Sequence, residues 1–494
     1  MISRRDALMS TLFGAGWVGL RALATGIPAS FFLNPREALA APTANKLAQY
    51  IIFQTSGNGD PINANVPGMY EDANGSQGTS GIYHSPAASM APTSLQVGSW
   101  SGLAALPWAQ PYQAVPTIGT TPLLGSVPGG IPQGQWQTIL NRTTFWHIAT
   151  TTPVHPKEPD VLKMMDQTTS DEMLVSILSK QLQPQLNTIQ AQPIALGATS
   201  PSESLVYGGQ AQPLIPPTAL KATLTNPAGP LSGLQKVRDQ TMNSLYQAYY
   251  KNGTPAQQAY IDSLTLSQTQ ARNISQDLLG MLDAITDNLV VSQVTAAMAL
   301  IKMAITPVLT IHIPFGGDNH RDTTLATETQ QTTGVGNTGT GYSATTGLTG
   351  VPGIAWLMNQ LYANNLQNQV TFMSLNVFGR TLATSTGCST GRQHNPNHHV
   401  AITIGSGFKP GVIGGIAPMT PNGGSCTEGG STCDYGAISF ESTTGVGSSG
   451  GDITNATSLP SWGQTMMAGV GLDSEIIASS ITTGKVITGG LANS

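Results

Sequence analysis

Histidine and aspartate side chains stand repeatedly just beyond the apolar runs of this chain. His155 follows the run 143–149, His320 follows 307–313, and His394, His398 and His399 follow 370–377. Asp60 trails the first apolar run, 46–53, and Asp318 precedes His320 by two residues. Imidazole nitrogens mixed with carboxylate oxygens are donors for a divalent metal (zinc, manganese or magnesium), in sites that activate water or clamp a phosphoryl group. No single spacing here is diagnostic; the repeated placement carries the signal. Plainer readings stand beside it. Asp318-Asn319-His320 also fits a polar turn, since short Asp and Asn side chains bond their own backbone, and His398-His399 also fits the start of a strand. His147 and His312 lie inside apolar runs, where a structural histidine is expected. Gly57-Asn58-Gly59 lacks the third glycine of a dinucleotide-binding loop.

Elements must carry these residues to one place. The run 46–53, closed by Gly57 and Gly59, predicts a buried strand that delivers residues 54–60 to a sheet edge, and 143–149 reads the same way. Residues 61–140 show no period and read as a loop-rich insertion. From 230 to 306 the pattern turns helical, with Thr254-Pro255 as an N-cap followed by proline at the first helical position. A helix over 292–305 leads into a strand over 307–313, a helix over 354–366 leads into a strand over 370–377, and 399–404 reads as another strand. Helices alternating with apolar strands predict an α/β fold with a central, largely parallel sheet covered by helices on both faces. In such a sheet, ligands bind beyond the carboxyl ends of the strands. The stretches 323–350, rich in Thr and Gly, and 423–451, rich in Gly and Ser, read as long loops. Residues 41–494 read as a single domain.

Only 9% of the 494 residues are charged and the formal net charge is −5, against about 25% charged in an ordinary domain. With no long Lys/Arg run, the chain lacks the electrostatic footprint of a nucleic-acid binder or of a basic membrane-surface patch. Arg4-Arg5 precede an uncharged segment, 7–20, that is too short to span a bilayer, and Ala38-Leu39-Ala40 offers a small-x-small cleavage site. This is the form of a twin-arginine export signal over 1–40. It places the mature chain in the periplasm or outside the cell without a membrane span, and makes the twin-arginine translocase a partner during export. In that oxidising compartment Cys426 and Cys433, joined by a short flexible loop, are expected to form a disulfide, leaving Cys388 over.

Several motifs occur together in order: Gly57-Asn58-Gly59-Asp60 with Asn63 and Pro67, His155, Gly316-Gly317-Asp318-Asn319-His320, Phe378-Gly379-Arg380-Thr381, Gly391-Arg392-Gln393-His394, and the glycines of 405–415. As a set they resemble the bacterial exported domain-of-unknown-function 1501 family, itself similar to the alkaline phosphatase and sulfatase superfamily. The resemblance covers most of 46–420. It implies a sheet with helices on both sides and a metal cluster onto which Asp60, Asp318, His320 and His394 map, with His155 and His398 as further candidates. The chain departs from the family pattern where Val377 replaces a glutamate, Gln393 an aspartate and Val154 a serine. The expected activity is metal-dependent hydrolysis of a phosphate or sulfate ester, on a small molecule or a polymer. Arg380 would neutralise charge in the transition state, and the nucleophile would come from Thr150, Thr151 or Thr152, with Thr152 the selected candidate. The rival expectation is a catalytically silent relative that serves as a binding or structural protein at the cell surface.

The export reading has a direct test. Replacing Arg4 and Arg5 with Lys should leave the precursor uncleaved in the cytoplasm, whereas an unchanged periplasmic yield on immunoblots would overturn the reading.

Overall fold

The computed structural model describes residues 49–59, 117–118, 121–122, 142–186, 192–197, 205–212, 214–225, 247, 250–255, 257–259, 261–262, 276–315, 318, 320, 342–343, 347–348, 350–381, 393–420, 423 and 434–492. Asp60, Cys388, Cys426, Cys433 and the expected leader 1–40 lie outside the described residues, as do most of 61–140 and of 323–350.

The strands that matter here are β1 (Tyr50–Gln54), β2 (Thr143–Ile148), β3 (Ile194–Leu196), β4 (Leu214–Ile215), β5 (Val308–Ile311), β6 (Val370–Ser374), β7 (Gly379–Arg380), β8 (His394–Asn395), β9 (His399–Ile404) and β10 (Gly411–Ile413). Eight of them form one mixed, mostly parallel sheet in the order β10-β2-β9-β6-β1-β5-β3-β4. Strands β1, β2, β5, β6 and β9 are buried along their whole length. That accounts for their near-continuous apolar runs in place of an alternating pattern.

One strand breaks the expected direction. β9 runs antiparallel to β6, with Ser374 opposite Ile402, and antiparallel to β2, with His399 opposite Ile148 and Ile404 opposite Thr143. A parallel neighbour needs a crossover connection, usually a helix. Among the described residues, no helix lies between β6 and β9; that stretch holds β7 and β8, which pair with each other with Arg380 opposite His394. The sheet is therefore α/β in class but mixed in direction.

The chain divides into two compact units, and the boundary falls within β1. The first comprises 49–51 with 175–311. In it β3 pairs in parallel with β4 and β5. Its described helices include α1 (Pro217–Thr225), α2 (Gln276–Asp283) and α3 (Val290–Lys302). Val294, Ala297, Met298 and Ile301 share one buried face of α3, at the helical spacing that the sequence displays. The expected N-cap is present: Thr254 Oγ1 accepts from Gln257 N at 3.3 Å, and Gln257 Oε1 accepts from Thr254 N at 2.8 Å, a reciprocal capping box.

The second unit comprises 52–174 with 312–494. Here α4 (Gly350–Ala363) leads into β6, burying Ile354, Leu357, Met358 and Leu361. A later helix, α5 (Asn455–Gly469), lies in a Ser-, Thr- and Gly-rich stretch where the sequence offers little helical periodicity, and it carries Pro460 within it. Packing holds it instead of propensity: Trp462, Met466 and Met467 are fully buried, and Ser458 Oγ accepts from Ala149 N at 3.0 Å just past the end of β2. Trp146 Nε1 donates to Thr403 Oγ1 at 2.9 Å, joining β2 to β9 inside the core.

Two histidines at the head of β9 are sealed in this core. His399 accepts from Asn376 N at 3.2 Å through Nε2, and His398 Nε2 lies 3.0 Å from His147 Nδ1, the two rings stacked 21° apart in plane. Burial lowers the His399 pKa to about 3 and holds His398 well below the ordinary imidazole range, the charges of His147 and His399 adding to the effect on His398. Both are neutral in the folded state. The unfolded chain binds protons there below about pH 6.5, so stability is complete above that pH and declines as pH falls toward the folded value, by about 1.4 kcal/mol per unit for each such histidine. Between pH 7.5 and 5.0, His399→Gln should shrink the loss of unfolding free energy by about 2 kcal/mol relative to the parent chain, read from urea unfolding curves at the two pH values. Equal losses in both proteins would refute this.

Candidate metal centre

The second unit brings His155, Asp318, His320 and His394 together. His155 Nε2 lies 3.3 Å from Asp318 Oδ2, while His320 Nε2 and His394 Nε2 lie 3.1 and 3.5 Å from Asp318 Oδ1. One donor atom each from His155, Asp318 and His394 falls within 4.8 Å of the others, so this His/Asp/His group could hold a metal ion.

Each member is placed by a short connection. After β1 the chain turns at 55–59, with Gly59 N donating to Ser56 O at 3.2 Å. Gly59 has φ +65°, and a Cβ there would lie 2.2 Å from Phe378 Cε2, so only glycine fits. This turn presents the Gly57 carbonyl to His155 Nδ1 at 2.6 Å. His155 opens a single turn of 3₁₀ helix that continues into the helical segment Glu158–Leu162. The buried Glu158 accepts from Thr55 Oγ1 at 2.8 Å, clamping that segment to the β1 turn. His394 stands on β8, opposite Arg380 on β7. Its Nδ1 lies 2.6 Å from the Pro153 carbonyl, and its ring stacks on Phe378 with centroids 4.0 Å apart.

Those two carbonyls decide the chemistry. A carbonyl oxygen only accepts, so Nδ1 of His155 and of His394 must donate, which leaves Nε2 of the neutral ring as a lone-pair donor. Metal-binding histidines are oriented in this way by a carbonyl or carboxylate behind them. For His394, burial depresses the pKa; the Pro153 carbonyl opposes this, while Arg380, His155 and His320 add to it, and the net shift is downward. Asp318 feels burial as a rise, but its hydrogen bond to Arg380 and the charges of Arg380, His155 and His320 outweigh it and lower the pKa. A neutral imidazole and an ionised carboxylate thus point electron pairs at one another. His394 Nε2 is buried and makes no hydrogen bond. A cation held between these atoms would resolve the conflict, and two imidazoles with a carboxylate are donors that could hold one.

The other expected residues lie as follows. Arg380 is fully buried, and its Nη2 donates to Asp318 Oδ1 at 2.6 Å and to Asn58 O at 3.4 Å. Its side chain is held against the carboxylate and is closed to solvent. Thr152 is buried, with Oγ1 3.4 Å from Val154 N. Val154, beside His155, is 48% exposed. His398 is not brought to the cluster, because its ring turns into the core against His147. Asp60 and the cysteine pair lie outside the described residues. Phe378 as the floor under His394, Glu158 as the clamp, and the carbonyls of Gly57 and Pro153 are parts of the site that only the fold reveals. Phe378 and Gly57 belonged to recognised motifs, but nothing local reveals a carbonyl's direction.

Gly59→Ala should cost about 1–3 kcal/mol, combining left-handed strain with displacement of Phe378. Gly209→Ala serves as the control, since Gly209 has φ +73° with open space around it, and should cost only about 1 kcal/mol. Equal losses in urea unfolding would refute the packing role of Gly59. Compared with protein-family models, curated proteins and solved structures, the chain matches none, so the reading of this site rests on its own geometry.

Proposed function

We propose that this chain is an exported, metal-dependent hydrolase of phosphate or sulfate esters, in keeping with its resemblance to the domain-of-unknown-function 1501 family. One observation carries the reading: two carbonyl-oriented imidazoles aim their Nε2 atoms at one ionised carboxylate. His155, Asp318 and His394 would hold the ion, and three protein donors leave coordination positions open, as catalytic sites do and closed structural zinc sites do not. A divalent ion there supplies Lewis-acid polarisation of an ester oxygen and neutralises charge that builds on it. The chain's own residues orient the site. Phe378 supports the His394 ring, and the Gly57 and Pro153 carbonyls keep both Nδ1 protons in place. His320 Nε2, at the half-exposed edge of the cluster, is the imidazole positioned to exchange a proton with a bound ester or water.

The exposed Val154 supports a second reading, a catalytically silent relative. An apolar side chain stands at the residue before His155, where a hydroxyl is expected, and the Thr152 hydroxyl is buried.

Elemental analysis of protein purified from the periplasm, paired with assays on aryl phosphate and aryl sulfate esters, separates the readings. About one zinc or manganese per chain with ester cleavage supports the hydrolase, and bound metal without cleavage supports the silent relative. Asp318→Asn removes the anionic donor and should lower metal affinity by more than the about 10–100-fold seen when a group behind a ligand is lost, together with any esterase activity. Absence of metal, or full occupancy in Asp318→Asn, would overturn the metal centre.

A further inference from the structure

We propose that Arg380 is a positioning residue for this centre: by gripping Asp318 Oδ1 from within the core it makes the carboxylate a one-oxygen ligand, presented through Oδ2. The inference rests on the metal-centre reading above and concerns how the ligand set is held. It differs from the role the sequence suggests for Arg380, which is contact with a substrate anion.

Burial is the first argument. The Arg380 side chain is 0% exposed, whereas Asp318 is 41% exposed and His320 39%. A residue that stabilises charge on a substrate must meet it at the open face, and Arg380 lies on the closed one. Position in the fold is the second. Arg380 is on β7, a two-residue strand whose partner β8 carries His394 directly opposite. The same hairpin therefore sets both the guanidinium that holds Asp318 and the imidazole that would share its ion. Arg380 Nη2 also lies 3.4 Å from the Asn58 carbonyl in the β1 turn, whose neighbouring Gly57 carbonyl orients His155. One guanidinium thus joins Asp318 to the β1 turn that orients His155, from the strand opposite His394.

Charge distribution is the third argument. Oδ1 already accepts a charge-assisted hydrogen bond at 2.6 Å, and a dication on the same oxygen would set two positive charges on one atom. Oδ2 is the oxygen that faces His155, 3.3 Å from its Nε2, while His394 Nε2 stands 3.5 Å from Oδ1, on the other side of the same carboxylate. One-oxygen binding keeps the coordination number low, which suits a zinc- or cobalt-type ion with open positions and disfavours magnesium, which prefers six oxygens. Removing Arg380 takes away the charge-assisted hydrogen bond on Oδ1, an oxygen that His320 and His394 Nε2 also approach at 3.1 and 3.5 Å, and lets the carboxylate rotate or bind through both oxygens.

The test uses the full mature chain and Co(II) alone, read by competitive titration and by the visible absorption of the bound ion, which is strong in four- or five-coordinate sites and weak in six-coordinate ones. The unmodified protein should show the strong band and bind Co(II) and Zn(II) far more tightly than Mg(II). Arg380→Gln should weaken Co(II) binding by about 10–100-fold and diminish the band as the carboxylate becomes two-oxygen. Arg380→Lys keeps the buried charge but loses the fork geometry, and should fall between the two. Arg380→Lys with unchanged unfolding midpoint, affinity and spectrum would overturn the proposal while leaving the metal centre standing. A weak six-coordinate spectrum in the unmodified protein would overturn it without recourse to any variant. Failure of the unmodified protein to bind Co(II) would overturn both the proposal and the metal-centre reading.

Discussion

Asp318 draws a buried guanidinium and three imidazoles toward one carboxylate, and the connections around it are shaped by the need to hold that concentration of charge. A guanidinium taken fully out of water is costly unless a counter-charge and acceptors meet it. Asp318 and the Asn58 carbonyl both meet Arg380 Nη2, from loops that follow different strands. The pair is therefore structural and chemical together. It stabilises an otherwise unfavourable burial, and it keeps the carboxylate ionised beside the imidazole lone pairs. The balance on Asp318 shows which effect wins: partial burial pushes its pKa up, yet the cationic neighbours bring it below the ordinary value.

Precision at the cluster comes from backbone more than from side chains. The Gly57 and Pro153 carbonyls dictate which nitrogen of His155 and His394 carries the proton, and both lie in turns with exacting geometry. Gly59 is left-handed beneath Phe378, and Thr151, a β-branched residue with φ +59°, is held by donating to the Pro396 carbonyl at 2.9 Å. Such conformations persist only where surrounding contacts over-determine them. Phe378 joins the two sides of the site. Its ring fills the space a side chain at 59 would need, and its face supports His394.

The second set of histidines is buried without a carboxylate beside it. His147, His398 and His399 are as rich in nitrogen as the candidate centre, but no carboxylate is among the partners observed for His398 and His399, and both are fully buried. Without an anion to repay desolvation, they stay neutral and act as hydrogen-bonding parts of the core. His394 and His398 are four residues apart in sequence and meet different fates because one lies near an aspartate and the other packs between strands.

Apolar runs are local, so the buried strands at 50–54, 143–148, 308–311, 370–374 and 399–404 and the helices at 290–302 and 350–363 were legible from the residues alone. So was the placement of His155, Asp318, His320 and His394 just past apolar runs. The helix at 455–469 was not legible, since its composition favours loops and packing against β2 and the 481–487 segment holds it. Strand direction was not legible at 399–404, because an apolar run buried on both faces has no polarity until its neighbours are known. The roles of Arg380 and His398 belong to the same class. Whether Arg380 faces a substrate or Asp318, 62 residues earlier in the chain, and whether His398 faces an ion or His147, 251 residues away, depends on which side chains the fold brings opposite them. Residue type and spacing determined which groups were able to do chemistry and roughly where they sat. The tertiary structure alone decided which of them share an anion, because that requires contacts between segments as far apart as His394 and Pro153, 241 residues away, whose directions no local pattern encodes.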